Sequence, residues 1–218
     1  MFTRVSLIGA LVLIAISFGV SGVVYNDLPD RMASHWDGAD NVNGTGSRAM
    51  TAFMVPVMQL FMLLVLGALV PAVARDRMPK ATGRTDVFVI VLFAFFTAVH
   101  AQVLAWNLGH QIPFTVTVPI GLGVLFFAIG HMMVDLEPNP VIGIRTYWTL
   151  KNPVVWARTH ERGSRLFRIL GVLYLFTPLF PAHMLLFILL PVIFLALYLV
   201  VYSYILYQAL EQAGQNRG

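Results

Sequence analysis

The sequence predicts an all-α, polytopic membrane bundle of about six transmembrane helices with both termini on the cytoplasmic side. Three observations predict it. Apolar residues make up 58% of the 218 positions and charged residues 11%, against roughly 45–50% and about 25% in soluble domains. The apolar residues gather in runs long enough for a bilayer core about 30 Å thick, which takes about 20 residues at a rise of about 1.5 Å each. Finally, threading those runs back and forth puts 12 of the 14 lysines and arginines on one side, which orients the chain by the positive-inside bias. The same composition excludes a disordered chain, which needs low hydrophobicity and high charge. The absence of cysteine excludes a disulfide framework, thiol catalysis, iron–sulfur clusters and cysteine-ligated zinc.

The runs are residues 5–25, 52–74, 87–108, 114–133, 166–180 and 184–207. The first resembles a signal peptide in its Arg4 and its small residues Ser17, Gly19, Ser21 and Gly22. Its apolar stretch exceeds the usual 7–15 residues of a signal peptide, so an uncleaved helix is expected. The fifth run is short, with Pro178 and Pro181 crowding its end. It spans if Arg165 and Arg168 reach to the interface, and a re-entrant hairpin is the alternative. Pro56, Pro71, Pro119 and Pro191 are expected to kink or end helices.

With the N-terminus inside, the inner side collects Arg4, Arg75, Arg77, Lys80, Arg84, Arg145, Lys151, Arg158, Arg162, Arg165, Arg168 and Arg217, and the outer side only Arg31 and Arg48. Counting acids too, the outer side carries a net charge of −2 and the inner side +6, which together give the overall +4. The basic balance is therefore a topology signal. Anionic lipid headgroups are the partner it implies, and no nucleic-acid-binding motif accompanies it. The whole chain, residues 1–218, reads as a single membrane domain with two long connections, an outer cap at residues 26–51 and an inner loop at residues 134–165. Connections of this length are uncommon unless functional or disordered.

In the outer cap, Met32–Trp36 could form a short extended piece, and Asp37-Gly38 is a turn pair able to supply positive φ. Trp36 suits a membrane interface, and His35 could bind a metal or sense pH. Asp37, Asp40, Asn41 and Asn43 invite a calcium reading, but Ala39 occupies the third position of an EF-hand spacing. The plainer reading has these side chains satisfying the loop backbone. Leu28, Pro29, His35, Trp36, Asp37, Gly38 and Arg48 are the candidate ligand contacts.

In the inner loop, Asp135-Leu136-Glu137-Pro138-Asn139-Pro140 stops the fourth helix. Asn152 reads as an N-cap with Pro153 at the first helical position. In the helix they open, Trp156, Thr159, His160 and Gly163 share one face while Arg158, Arg162, Arg165 and Arg168 take another. An interfacial amphipathic helix leading into the fifth span is expected. Arg145, near Asp135 and Glu137 in sequence, is expected to be paired and ordered, a guanidinium fork on carboxylate.

These loops resemble the SdpI family of bacterial membrane proteins. The resemblance rests on Gly143, Ile144, Arg145 and Thr146, then Trp148, Thr149, Leu150, Lys151 and Asn152, then Trp156, Thr159, His160 and Gly163. In the outer cap it rests on Leu28-Pro29, His35-Trp36, Gly38 and Ser47-Arg48, similar to the family's accessory N-terminal region. Tyr147 stands where the family often has a small residue or proline. The resemblance implies a non-enzymatic immunity protein and receptor in a prokaryotic cell membrane. Such a protein guards against a secreted, membrane-active peptide toxin outside and can also hold a soluble transcriptional repressor inside. It implies no cofactor and no direct nucleic acid contact.

Other classes stay open on the residues alone. His100, Gln102 and Asn107 lie on the outer half of the third helix, and His131 and Asp135 stand at i and i+4 near the inner end of the fourth. Ionisable groups within a span are functional candidates, so a proton-coupled or small-solute membrane transporter is the alternative. His110 and His183 flank outer connections and could join His35 in a metal cluster. A membrane hydrolase is the third class, without an HExxH or GxSxG motif to support it.

Overall fold

The computed structural model describes residues 3–69, 82–134 and 136–215. Expectations at Pro71, Arg75, Arg77, Asp76, Lys80, Asp135 and Arg217 fall outside them. Among the described residues the fold is a helix bundle with one two-stranded sheet. The elements run α1 (Arg4–Val24), β1 (Arg31–Trp36), β2 (Val42–Ser47), α2 (Arg48–Leu64), α3 (Gly83–Asn107), α4 (Phe114–Met132), α5 (Tyr147–Lys151), α6 (Pro153–Tyr174) and α7 (Met184–Gln215). α2 continues through a wider turn, Val65–Leu69. Pro56, Pro119 and Pro191 sit inside α2, α4 and α7, which continue through them.

Among the described residues five segments are long and apolar enough to cross a membrane: Arg4–Asp27, Arg48–Leu69, Gly83–Asn107, Phe114–Met132 and Pro181–Ala213. The protein is a multi-pass membrane protein. The expected fifth span differs from the expectation in form. It is not a short span preceded by a separate helix lying at the interface. Residues 153–174 make one continuous helix, α6, whose charged first half keeps it out of that group of five. Instead of floating on a surface, its Trp156, Thr159, His160 and Gly163 face is buried inside the protein, while Arg158, Arg162 and Arg165 are exposed.

Lipid tails are as apolar as leucine, so helices in a bilayer associate through close packing and interhelical hydrogen bonds. α4 and α6 show the first device. A Cβ on Gly123 would stand 2.7 Å from the Gly171 carbonyl, and one on Gly171 would stand 2.6 Å from the Gly123 carbonyl. Two turns along, a Cβ on Gly130 would meet the Ser164 carbonyl at 2.7 Å. Backbone thus lies on backbone along this pair.

α1 and α3 show the second device. Ser6, Ala10, Ile14, Ser17 and Ser21 form the buried stripe of α1. Thr3 caps α1 and donates from its hydroxyl to the Asp86 carboxylate at 2.8 Å, tying the start of α1 to the start of α3. Further along, the Ser21 hydroxyl donates to the Ala52 carbonyl of α2 at 2.6 Å. His100 Nε2 lies 2.8 Å from that hydroxyl and 3.2 Å from the Ser17 carbonyl. Gln59, fully buried in α2, donates to the Phe93 carbonyl at 3.1 Å and to the Thr97 hydroxyl at 3.0 Å. Val89, Phe93, Ala10, Ile14 and Leu63 fill the space between these polar ties.

The reciprocal Gly123–Gly171 contact leaves no room for a side chain. Gly171→Leu should push α4 and α6 apart and destabilise the protein by about 1–3 kcal/mol, in the range for overpacking a core. Unfolding of the detergent-solubilised chain measures it, and unchanged stability would show that this pair can separate freely.

Candidate functional site

The structured loops lie at opposite ends of the bundle, one built around the hairpin and one around the Gly-Ile-Arg-Thr motif. At the hairpin end, β1 and β2 pair antiparallel, Arg31 opposite Ser47 and Met32 opposite Gly46, with irregularities around His35. The extended piece expected at 32–36 is present, and its partner strand was not foreseen. Met32 and Leu28 are buried against Ala52 and Leu104, so Leu28 is a packing residue rather than a ligand contact. The Asn107 side chain treats Ala33 as a neighbouring strand would. It accepts from the Ala33 N–H at 2.7 Å and donates to the Ala33 carbonyl at 3.0 Å. Trp36 packs on Phe114, with ring centroids 4.3 Å apart, and meets the edge of Trp106 at 5.5 Å. Its buried indole N–H has no acceptor among the described residues.

The turn differs from the expectation in one respect. The positive φ falls on Asp40, at 62°, and not on Gly38; aspartate tolerates this left-handed conformation better than most residues. The Asp40 carboxylate accepts from the Thr115 N–H at 3.1 Å and from the Thr115 hydroxyl at 2.5 Å, which pins the turn to the start of α4. Asp37 accepts from the backbone N–H groups of Ala39 and Asn41 at 2.8 and 2.9 Å. These bonds, with the Asn41 amide, hold its carboxyl below the usual carboxylate range. Arg48 pairs with Asp30 at 2.5 Å and lies over the Tyr25 ring, and Ser47 caps α2.

His35 is exposed, with Nδ1 2.5 Å from the Asn43 side-chain oxygen. The expected cluster of His35, His110 and His183 is not assembled: among the described residues no three metal-ligating side chains converge. Pro29 leads into the hairpin, and Gly38 lies against Leu185 in the first turn of α7, 3.4 Å from where a Cβ would stand. Gly38, Asp40, Thr115, His183, Met184 and Leu185 line a groove of about 490 Å³.

At the motif end the chain leaves α4 through a turn organised by Asn139. Its side-chain oxygen accepts from the N–H groups of Val141 and Ile142 at 2.9 and 2.7 Å, and its amide donates to the Glu137 carbonyl. Gly143 follows with φ +116°, a conformation open in practice to glycine. A Cβ there would also overlap His160 Nε2. The Ile144 N–H donates to His160 Nε2 at 3.0 Å, and His160 Nδ1 donates to the Trp156 carbonyl at 2.9 Å. These partners fix the tautomer, since a carbonyl only accepts and an N–H only donates. The Trp156 ring stacks on His160 at 4.0 Å, and its N–H donates to the Leu136 carbonyl at 2.6 Å. Burial holds His160, on the motif side of the apolar part of α6, below the ordinary histidine value.

Thr146 caps α5 in a reciprocal capping box with Thr149, and Thr149 donates to the Ile144 carbonyl at 2.8 Å. Asn152 caps α6 with Pro153 next, as expected. Two contacts tie the motif to α7: the Thr146 and Ser203 hydroxyls at 3.2 Å, and the Trp148 and Tyr204 rings at 5.0 Å. The remaining motif residues face out. Tyr147 is 62% exposed and Leu150 49%, with Lys151 over the Tyr147 ring.

Arg145 corrects an expectation. It is exposed, donates to the Val141 carbonyl at 3.3 Å, and pairs with no carboxylate among the described residues. The turns at Asn139 and Gly143 come between it and Glu137, so nearness in sequence does not become nearness in space. Asp135, the other expected partner of both Arg145 and His131, lies outside the described residues. His131 itself is half-buried near the end of α4. Gln59, Ser17 and Ser21 escaped the sequence reading. Their signal was a single polar residue in an apolar run and two serines at i and i+4 on one helix face.

Residues 135–203, from the motif through most of α7, match the SdpI/YfhL protein family, and residues 12–60, enclosing the hairpin, match the Domain of unknown function (DUF1648). In its motif region the chain is thus similar to the SdpI family. Over 188 residues it is 24% identical to the "Immunity protein SdpI" of Bacillus subtilis (strain 168), covering 86% of this chain and 88% of that one. No solved structure matches. Within the family match, Gly143, Ile144, Thr146, Thr149, Asn152, Trp156, Thr159 and His160 build the loop, and Arg145, Tyr147, Leu150 and Lys151 are presented by it.

The loop closes only around a neutral His160, because a protonated ring cannot accept from Ile144. Its folded value lies below the ordinary one, so the open loop takes up a proton more readily than the closed one. Closure is therefore fully favoured above the ordinary histidine value and weakens as pH falls below it. Lowering the pH from neutral to about 5 should raise protease sensitivity at residues 136–146. Gly143→Ala should do the same at neutral pH, at a cost of about 1–3 kcal/mol. Protection that ignores both changes would show that the Ile144–His160 bond does not hold the loop.

Proposed function

We propose that this chain is a non-enzymatic membrane immunity protein of a prokaryotic plasma membrane, with the hairpin end outside and the motif end in the cytoplasm. In this reading it protects the cell against a membrane-active peptide toxin met at the hairpin end. Its motif end presents a surface to a soluble partner such as a transcriptional repressor. The observation that carries the proposal is the similarity to an immunity protein along nearly the whole of both chains. The charge distribution supports the orientation, since the expected inner side holds 12 of the 14 lysines and arginines.

The hairpin end offers a peptide two kinds of contact. These are the exposed His35 and Asp37, and the groove beside Gly38 for apolar side chains. At the motif end the buried Trp156 cannot touch a partner, being 1% exposed. The partner surface is instead Arg145, Tyr147, Leu150 and Lys151. His100 is committed to Ser17 and Ser21, which favours a structural role over a proton relay and so the immunity reading over transport.

The chain has no cysteine, so single cysteines report topology on the native background. Ala39→Cys should react with an impermeant maleimide in whole cells, and Leu150→Cys only after lysis. Labelling of both in whole cells would overturn the orientation.

Function divides by face. His35→Ala with Asp37→Ala should lower survival under toxin and leave partner recruitment intact. Tyr147→Ala with Lys151→Glu should do the reverse, and Arg145→Ala should weaken recruitment with less than about 1 kcal/mol lost in stability, as for an exposed side chain. Survival assays beside membrane co-sedimentation of the partner check both. Loss of both readouts in every variant would refute separate faces.

A further inference from the structure

Between the exposed side of α6 and the facing side of α7 lies a groove of about 410 Å³, separate from both the hairpin and the motif. Arg158, Arg162 and Arg165 rim it, Tyr198 and Tyr202 form its far wall, and Leu166 and Ile169 its floor. Glu161 is the one acid lining it. The three arginines are not equivalent. Arg165 is paired with Glu161 one turn away. Arg162 donates to the Tyr198 hydroxyl at 2.5 Å and stacks over the Tyr202 ring, 4.4 Å from its centre. Arg158 makes no hydrogen bond, ion pair or ring contact among the described residues. The groove thus holds one braced guanidinium, one unsatisfied guanidinium, and a surplus of two positive charges.

The groove also sits at a chemical boundary. On one side are the charged turns of α6. On the other, past Leu166 and Ile169, the exposed surface becomes wholly apolar: Ile169 is 55% exposed, Leu173 54%, Leu190 47% and Phe194 67%. In a multi-pass bundle that apolar surface faces lipid tails, so the arginines stand at the headgroup level of one leaflet. Guanidinium groups bind phosphate oxygens in a planar fork, tyrosines favour the membrane interface, and an acyl chain needs the apolar strip below. A soluble anion would use the rim and leave the floor uncovered.

We propose that this groove is a binding site for an anionic glycerophospholipid. The phosphate is held by Arg158 and Arg162, the headgroup lies against Tyr198 and Tyr202, and an acyl chain lies over Leu166 and Ile169. The site uses none of the residues assigned to toxin or partner contact, so it stands whether or not that reading does.

The test uses the full chain in vesicles of mixed phosphatidylcholine and phosphatidylglycerol, extracted gently, with the retained lipids counted by native mass spectrometry. Retention enriched in phosphatidylglycerol is expected. Arg158→Gln, which removes a guanidinium that has no partner among the described residues and so leaves the fold untouched, should lower that enrichment about fivefold. Arg162→Lys keeps the charge but loses the fork, and should lower it as well. Arg31→Gln, at the opposite end, should not. Three outcomes overturn the proposal: equal retention of phosphatidylcholine; enrichment unchanged in Arg158→Gln; and displacement of the lipid by inorganic phosphate or by an acidic peptide such as polyglutamate, either of which would identify a soluble anion as the occupant.

Discussion

Everything in this fold depends on how polar backbone and side chains are satisfied where water does not reach. A helix meets the requirement for itself, which is why spans are helical. It does nothing for the joints between helices. In this bundle they are made in two ways. α4 and α6 meet through glycine, the Cα of one against the carbonyl of the other, and α1, α2 and α3 meet through short hydrogen bonds from serine, histidine, glutamine and threonine. The polar ties are few, but each joins elements far apart in sequence, and together they fix the rotation of three otherwise similar apolar cylinders.

The same requirement shapes the two ends, where the chain leaves helical form. The hairpin would expose the outer edge of β1, and Asn107 occupies that edge at Ala33. Its turn would hang free, and Asp40 anchors it on Thr115. The motif loop would leave the amide of Ile144 unpaired, and His160 accepts it. In each case a helix supplies one of the two partners, so the non-helical segments take their positions from the bundle. Most of the family motif is explained by that work.

The sequence displayed what depends on length, period and local chemistry. The spans followed from apolar runs, the start of α6 from Asn152-Pro153, and its buried face from the spacing of Trp156, Thr159, His160 and Gly163. It concealed what depends on a partner elsewhere in the chain. Ser17 and Ser21 look like ordinary small residues until His100 is placed beside them. Asn107 looks like a helix end until Ala33 arrives. Arg145 looked paired because two carboxylates were close in sequence, yet two turns separate it from Glu137. Asp40 rather than Gly38 took the left-handed position because its side chain had Thr115 to hold. The amphipathic pattern of residues 153–165 was read correctly as a pattern, but its apolar face found protein rather than membrane.

α7 has a consequence beyond crossing the membrane. Its 32 residues measure about 48 Å at helical rise, well beyond the apolar thickness of a bilayer. Leu185, in its first turn, lies against Gly38 of the hairpin turn. Ser203 and Tyr204, about 28 Å along the same rod, touch Thr146 and Trp148 of the motif. A helix is stiff along its axis, and Pro191 is the one residue between those contacts whose ring removes a backbone donor. The two ends of the molecule therefore share a single strut, and their positions are mechanically linked.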